Sequence, residues 1–162
     1  MSITVHGSVF HKPGEVGDFA WMIDRTEYDD VLFVFNDNEE QFRAFQTDPT
    51  GGRGCSRGGG NAVIRPWRCA DPPRAAGIPT GTLARGGYPA LDPEARAAID
   101  DAFALIDALL GTGRYRRVFF SATPDGGLGT GIFTVGDPVR ADVLTGLRAR
   151  ARPGPDAPSA AP

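Results

Sequence analysis

Short apolar runs, separated by polar stretches that contain glycine, dominate the pattern of this chain. The run "VLFVFN" at 31–36 is almost wholly apolar, which is typical of a strand that is covered on both faces. The runs "ITVHGSVF" at 3–10 and "RRVFFSA" at 116–122 contain many β-branched and aromatic residues and predict two further strands. The stretch "AGIPTG" at 76–81 predicts a short strand, and "IFTVG" at 132–136 predicts a brief extended segment.

A helical spacing of apolar residues predicts the longer helices. The clearest helix is predicted over 92–111, where apolar residues recur at three- and four-residue spacing. Asp92 is its expected N-cap, Pro93 takes the first helical position and Gly111 ends it. A last helix is predicted from the same Asp-Pro device, with Asp137 as its N-cap. Shorter elements are predicted over 18–28, as a helix or an ordered connection, and over 37–45, as a helix.

Strands that alternate with helices predict an α/β sandwich around a central mixed, largely parallel sheet. The length favours one domain, which we place at 1–150. Residues 151–162 consist of proline, alanine, glycine and a few polar residues, and we expect a disordered tail. Ligands of such sheets bind beyond the carboxyl ends of the strands. A ligand-binding site is therefore expected in the loops that follow the apolar runs.

Two glycine-rich loops follow predicted strands and are the first candidates for such a site. One covers 46–60 and leads to "NAVIR", where Asn61 is the expected N-cap and Pro66 an early stop. The other, "DGGLGTGIF" at 125–133, has four glycines. A phosphate-binding P-loop needs a lysine, and the chain has none after Lys12. Either the loops form a backbone cradle for an anion, or their glycines only build turns.

Composition narrows the class of protein further. The net charge is −3, which argues against a nucleic-acid coat that relies on charge. No apolar run approaches the roughly 18 residues of a membrane span, and no signal peptide is evident, so we expect a cytoplasmic protein without membrane contact. Cys55 and Cys69 form no CxxC pair and are expected to be reduced, although a disulfide stays open. We expect no cofactor and no metal site, and we expect structural roles for His6 and His11.

Four stretches, in this order, resemble the macrodomain family: "VLFVFNDN", "GGGNAVI", "IPTG" and "FFSATPDGGLGTGIF". Members of that family bind ADP-ribose and often cleave ADP-ribosyl linkages. The resemblance implies a three-layer α/β/α sandwich, a distal ribose held by Asn38, a diphosphate wrapped by 127–131, and Phe133 near the ribose. The substrate-binding residues that it implies are Asn36, Gly58, Gly59, Gly60, Thr80, Gly127, Leu128, Gly129, Thr130, Gly131, Ile132 and Phe133. Either Asp18 or Asp24 would lie near the adenine.

The catalytic candidates are chosen from polar residues near these loops. The acids and the lysine on which hydrolytic members rely are missing from the aligned stretches of this chain. Asp37 can orient a water molecule for attack on the anomeric carbon, or it is a turn residue. Asn38 and Asn61 can hydrogen-bond ribose hydroxyls. Arg85 can stabilise a leaving group, or it is a solvated loop residue.

The predicted function is an ADP-ribosyl glycohydrolase that removes ADP-ribose from protein side chains or nucleic-acid bases. The alternatives are a reader that binds ADP-ribose without cleavage and an unrelated α/β nucleotide-binding protein. The expected partners are therefore ADP-ribose and ADP-ribosylated protein or nucleic acid. A transient contact with DNA is a further possibility, through a cluster of arginines made of Arg53, Arg57, Arg65 and Arg68.

Overall fold

A computed structural model describes residues 2–155, and within this range a four-stranded parallel sheet forms the centre of the molecule. The strands of the chain are β1 (Thr4–Ser8), β2 (Val31–Asp37), β3 (Ala75–Pro79), β4 (Gly81–Thr82), β5 (Gly86–Gly87) and β6 (Arg117–Ser121). The central sheet has the order β1-β6-β2-β3, and all its neighbours are parallel. β4 and β5 form a separate antiparallel pair. The strands predicted at 3–10, 31–36, 76–81 and 116–122 are confirmed.

Helices cover both faces of this sheet. They are α1 (Phe19–Met22), α2 (Glu39–Thr47), α3 (Pro93–Leu110) and α4 (Asp137–Arg148), with 3₁₀ segments at Thr26–Tyr28, Gly52–Cys55 and Gly60–Cys69. One apolar cluster joins the sheet to α3 and α4. A second cluster joins the opposite face to α1 and to the 3₁₀ segment Gly60–Cys69. The molecule is therefore an α/β protein with three layers, as predicted.

The strand β2 lies between the two clusters. Leu32 and Val34 belong to the cluster with α3 and α4, whereas Val31, Phe33 and Phe35 belong to the other. All five side chains are buried, so the continuous apolar run reflects a strand with no solvent-facing side. This placement brings the polar residues after the run to the carboxyl edge of the sheet.

Of the two predicted Asp-Pro helix starts, one is confirmed and the other differs from the structure. Asp92 caps α3 as expected, since its Oδ1 accepts a hydrogen bond from the Ala95 amide at 2.8 Å. Asp137 does not cap α4: the N-cap is Gly136, and Asp137 lies in the first turn, where it pairs with Arg140. A carboxylate in the first turn is favoured by the helix dipole without being a cap.

The segment after the first glycine-rich loop also differs. It is a 3₁₀ segment that begins at Gly60 and continues to Cys69, so Pro66 does not end it. Asn61 is not its N-cap, because the Asn61 Oδ1 accepts a hydrogen bond from the Asn36 amide at 3.0 Å. The expected extended segment at 132–136 contains no strand and consists of a turn and irregular chain.

Cys55 and Cys69 form a disulfide, which overturns the expectation that both are reduced. The bond joins the 3₁₀ segment Gly52–Cys55 to the end of Gly60–Cys69. The two segments lie side by side and bring the two Cα atoms to 5.9 Å, which is within the usual range for a disulfide. The sequence spacing of the cysteines gives no sign of this packing.

The two ends of the described chain meet. Ile3 and Arg152 exchange backbone hydrogen bonds of 2.9 and 2.8 Å, so the predicted disorder of the tail is wrong at this residue. The remainder of that prediction, for 156–162, lies outside the described residues. Within residues 2–155 no helix has the length and apolar character needed to cross a membrane.

Candidate functional site

A cavity of about 500 Å³ opens at the carboxyl edge of the sheet, where β2 and β6 end. Asn36, Asp37 and Asn38 line it from the end of β2, and Ser121 lines it from the end of β6. The two glycine-rich loops supply facing walls, which are Gly58–Gly60, here called the first wall, and Thr130–Phe133, here called the second wall. The structure thus brings together two segments that lie far apart in the sequence.

The first wall contacts the second directly. A Cβ atom on Gly59 would lie 2.9 Å from the Ile132 Cδ1 atom, and Gly60 has a φ of +59°. Both positions therefore favour glycine, one for space and the other for its backbone conformation. Asn61 holds the first wall to β2 through its hydrogen bond with the Asn36 amide. This bond fixes the first wall relative to the sheet.

The second glycine-rich loop is only partly at the cavity. The Gly127 amide donates to the Thr123 Oγ1 at 3.0 Å, and the Gly129 amide donates to the Ser121 carbonyl at 2.9 Å. Leu128 is buried beneath this turn and pairs with Ala122. The prediction that Gly127, Leu128 and Gly129 line the site is wrong, because they close a turn behind it.

Asp37 lies at the floor of the cavity with 1% of its surface exposed. Its Oδ1 accepts hydrogen bonds from Arg65 Nε and Nη2 at 3.1 and 3.0 Å, and its Oδ2 accepts one from Arg68 Nη1. The Asn38 amide also donates to Oδ1, at 2.9 Å. Both carboxylate oxygens are therefore engaged by groups of the protein, and that Asp37 orients a water molecule stays a prediction.

The two arginines that hold Asp37 are buried, with 3% of each residue exposed. The Arg68 guanidinium also lies over the rings of Phe35 and Phe45, at 5.3 and 4.6 Å from their centroids. Burial lowers the pKa of Arg68, and Asp37 opposes this shift. Arg65 and Arg68 therefore offer no exposed surface for the predicted contact with DNA, and such a contact through the exposed Arg53 and Arg57 stays a prediction.

Asn36 and Asn38 line the cavity and also hold its walls. The Asn36 Nδ2 donates to the Gly129 carbonyl, which connects β2 to the second glycine-rich loop. Asn38 caps α2: its Oδ1 accepts from the Gln41 amide at 2.9 Å, and its Nδ2 donates to the Gln41 Oε1 at 2.7 Å. Contact between Asn38 and a ribose stays a prediction.

Two of the predicted site residues are not at the cavity. Arg85 is exposed and pairs with Glu94 at 2.6 Å, which raises the pKa of the arginine. Thr80 is fully buried behind β3, where its amide donates to the Asp37 carbonyl. Neither residue therefore lines this cavity, although Leu83 of the same turn does: Thr80 is buried, and the exposed Arg85 side chain is held by Glu94.

The mouth of the cavity is apolar. Phe10, Leu83 and Ile132 line it although they are 56%, 56% and 76% exposed. The cavity is also lined by Phe19, Gln41 and Ser121. Of these six lining residues, only Ile132 was predicted from the sequence to belong to the site. The end of a predicted strand was a signal for Ser121. Phe10, the last residue of the strand predicted at 3–10, carried the same signal, whereas Phe19 and Leu83 carried none, because their segments approach the site only in three dimensions.

Asp18 lines the cavity and Asp24 does not, so of the two acids considered for an adenine contact only Asp18 is in place. Its Oδ1 accepts from the Ala20 amide as the cap of α1, and its Oδ2 accepts from the Gly14 amide. Among residues 2–155 no group of three or more metal-ligating side chains is placed to hold a metal ion.

Comparisons of the chain with protein-family models, with curated proteins and with solved structures found no match. The cavity and the residues around it are therefore the basis of the proposed function.

Proposed function

We propose that the cavity binds ADP-ribose and that the protein hydrolyses ADP-ribosyl bonds of modified protein or nucleic acid, as its resemblance to macrodomains implies. One observation carries the proposal. The first and second walls, from glycine-rich loops that are distant in sequence, face each other at the carboxyl edge of the sheet. Ligands bind at this edge in parallel α/β sheets, and the volume of about 500 Å³ is that of a small-molecule site.

The walls suit a pyrophosphate because they present backbone with little side-chain obstruction. Gly59, Gly60 and Gly131 carry no Cβ, so an anion can approach the peptide amides closely. In the proposed complex the pyrophosphate lies between the two walls, and the ribose next to it lies near Phe133 and Asn38. The adenine lies in the apolar mouth, where exposed Phe10 and Leu83 can cover its faces.

The proposed hydrolysis uses few side chains of the protein. Cleavage at a ribose passes through an oxocarbenium-like state, for which a bent substrate and one fixed water molecule are the main requirements. Asp18 and Asp37 are the carboxylates that line the cavity, and both already accept hydrogen bonds at both oxygens. We therefore propose that a phosphate oxygen of the substrate holds the attacking water molecule in place.

The same observation favours a second candidate, a reader that binds ADP-ribose without cleavage. The described residues that line the cavity contain no histidine or cysteine and no carboxylate without a partner. General acid–base catalysis by a positioned side chain is therefore not evident in the site. Release of ADP-ribose from ADP-ribosylated protein or DNA distinguishes the hydrolase from the reader.

Calorimetry with ADP-ribose tests the binding step. A Gly59→Val variant places a branched side chain between the walls, and its Cβ would meet only the flexible end of Ile132. Gly51→Val is the matched control, since Gly51 has an extended backbone and lies away from the cavity. We expect binding by the wild type and by Gly51→Val, and at least about tenfold weaker binding by Gly59→Val.

Each result of that experiment has a defined meaning. Absence of heat with the wild type at saturating ADP-ribose would reject the proposal and leave an α/β protein with glycines that only build turns. Equal affinity of Gly59→Val and the wild type would reject the placement of the ligand between the walls. Binding with no ADP-ribose released from either modified substrate would reject the hydrolase in favour of the reader.

A further inference from the structure

The charges beneath the cavity do not balance. Arg65 and Arg68 carry two positive charges, and Asp37 carries one negative charge between them. Within residues 2–155, neither arginine has another carboxylate within ion-pair distance. Their remaining partners are the carbonyls of Ser56, Gly54 and Gln41, which supply dipoles but no charge. The cluster therefore carries a net charge of about +1.

This charge is buried next to the cavity. All three side chains are at most 3% exposed, so water screens their charges weakly. Burial lowers the pKa of Arg68, and the positive charge of Arg65 lowers it further. Arg65 is the arginine that lines the cavity, and its Nη1 lies under the first wall, 2.5 Å from where a Cβ on Gly58 would be. Arg68 lies behind it.

We propose that the excess positive charge at Arg65 selects an anionic ligand, so that the cavity requires a phosphate group placed over the first wall. This inference rests on the proposed binding of ADP-ribose and adds the residue, Arg65, whose charge selects the phosphate. Asp37 is shared by the two arginines and balances one of their charges, which leaves one positive charge for the ligand to balance beside Arg65, the arginine that lines the cavity. A phosphate over the first wall would be attracted by this charge, which water screens weakly because it is buried.

The proposal separates ligands by charge rather than by shape. Adenosine can fill the apolar mouth but leaves the buried charge unbalanced, whereas ADP-ribose and inorganic pyrophosphate both supply an anion. We therefore expect wild-type protein to bind ADP-ribose at least about tenfold more tightly than adenosine. Arg65 acts here as a specificity-determining residue for the phosphate.

The variant Arg65→Gln tests this role. Glutamine retains an amide that can donate a hydrogen bond, and Asp37 keeps Arg68 as its counter-ion, so the variant removes the excess charge without leaving an unpaired buried one. The control is Arg96→Gln, which alters a partly exposed pair with Asp142 between α3 and α4, on the face of the sheet opposite the segment Gly60–Cys69. Affinities for ADP-ribose, inorganic pyrophosphate and adenosine are measured by calorimetry. We expect Arg65→Gln to weaken the binding of ADP-ribose and of pyrophosphate at least about tenfold and to leave the affinity for adenosine unchanged.

Equal weakening of all three probes by Arg65→Gln would overturn the inference, because it would mean a general collapse of the cavity. Unchanged binding of ADP-ribose would also overturn it. If Arg65→Gln does not fold, the wild type decides: equal affinity for adenosine and ADP-ribose rejects the inference. Arg65-dependent binding of pyrophosphate without binding of ADP-ribose would reject the proposed function and retain the anion site.

Discussion

At the scale of single residues, Asp37 is the carboxylate that both buried arginines beneath the cavity share. Its carboxylate joins Arg65 and Arg68, which both lie on the 3₁₀ segment Gly60–Cys69, to the Asn38 amide at the start of α2. Gly77 on the neighbouring strand leaves room for this cluster, since a Cβ there would lie 2.8 Å from the Asp37 Oδ2. Removal of one member of a buried ionic cluster costs far more than replacement of the whole cluster.

We predict that Asp37→Asn lowers the free energy of unfolding by about 3–5 kcal/mol, because two buried arginines lose their counter-ion. Urea denaturation followed by circular dichroism measures this change. Asp24→Asn is the control, since Asp24 is exposed, and we expect it to be neutral within about 0.5 kcal/mol. A loss below about 1 kcal/mol for Asp37→Asn would contradict the role given to the cluster.

At the scale of elements, the hydrophobic pattern predicted those strands and helices that have a pattern or a cap within their own sequence. The apolar run of β2 and the stripe and cap of α3 are local features, and both were predicted. The 3₁₀ segment Gly60–Cys69 was not, because Asn61 is bonded to Asn36 on β2 and the segment packs against the sheet. In the same way, the positions of the two walls could be predicted from the glycine-rich loops. The sequence did not predict that the amides of Gly127 and Gly129 are hydrogen-bonded within a turn, to Thr123 and Ser121.

The disulfide closes a loop of the chain that contains the first wall, Arg65 and Arg68. Cys55 and Cys69 are 14 positions apart, and a crosslink of a loop of this size contributes about 3 kcal/mol. We predict that a Cys55→Ser/Cys69→Ser variant loses about this amount of stability and, if the proposed function holds, affinity for ADP-ribose as well. Thermal denaturation with and without a reducing dithiol measures the change. An unaltered midpoint in both comparisons would contradict the prediction.

At the scale of the whole molecule, an ion pair connects segments that are distant in sequence. Arg117 at the start of β6 donates to both carboxylate oxygens of Asp30, which precedes β2, at 2.6 to 3.2 Å. Its Nη2 also donates to the Glu27 carbonyl at 2.8 Å. Hydrogen bonds from Arg117 hold the pKa of Asp30 below its usual value of 3.8. The pair thus links the amino ends of two adjacent central strands.

This shift predicts the direction of a pH dependence. Because the pKa of Asp30 is lower in the folded protein, its contribution is complete above pH 3.8 and is lost as the pH falls through the folded-state pKa. The pair is about one-third exposed, so we expect about 0.2–1 kcal/mol. Urea denaturation of wild type and Asp30→Asn should differ by this amount at pH 7 and converge at strongly acidic pH. A difference that grows on acidification would contradict the assignment.

The pairing of Ile3 with Arg152 places both ends of the described chain at the amino edge of the sheet, opposite the cavity. A fluorescent fusion or a surface tether attached at either end would leave the cavity mouth open to large substrates. The same proximity allows a short peptide linker to join the ends covalently. New ends could then be cut in the largely exposed turn at 111–114, which precedes β6 and contributes no residue to the cavity, so the permuted protein would keep its ligand site.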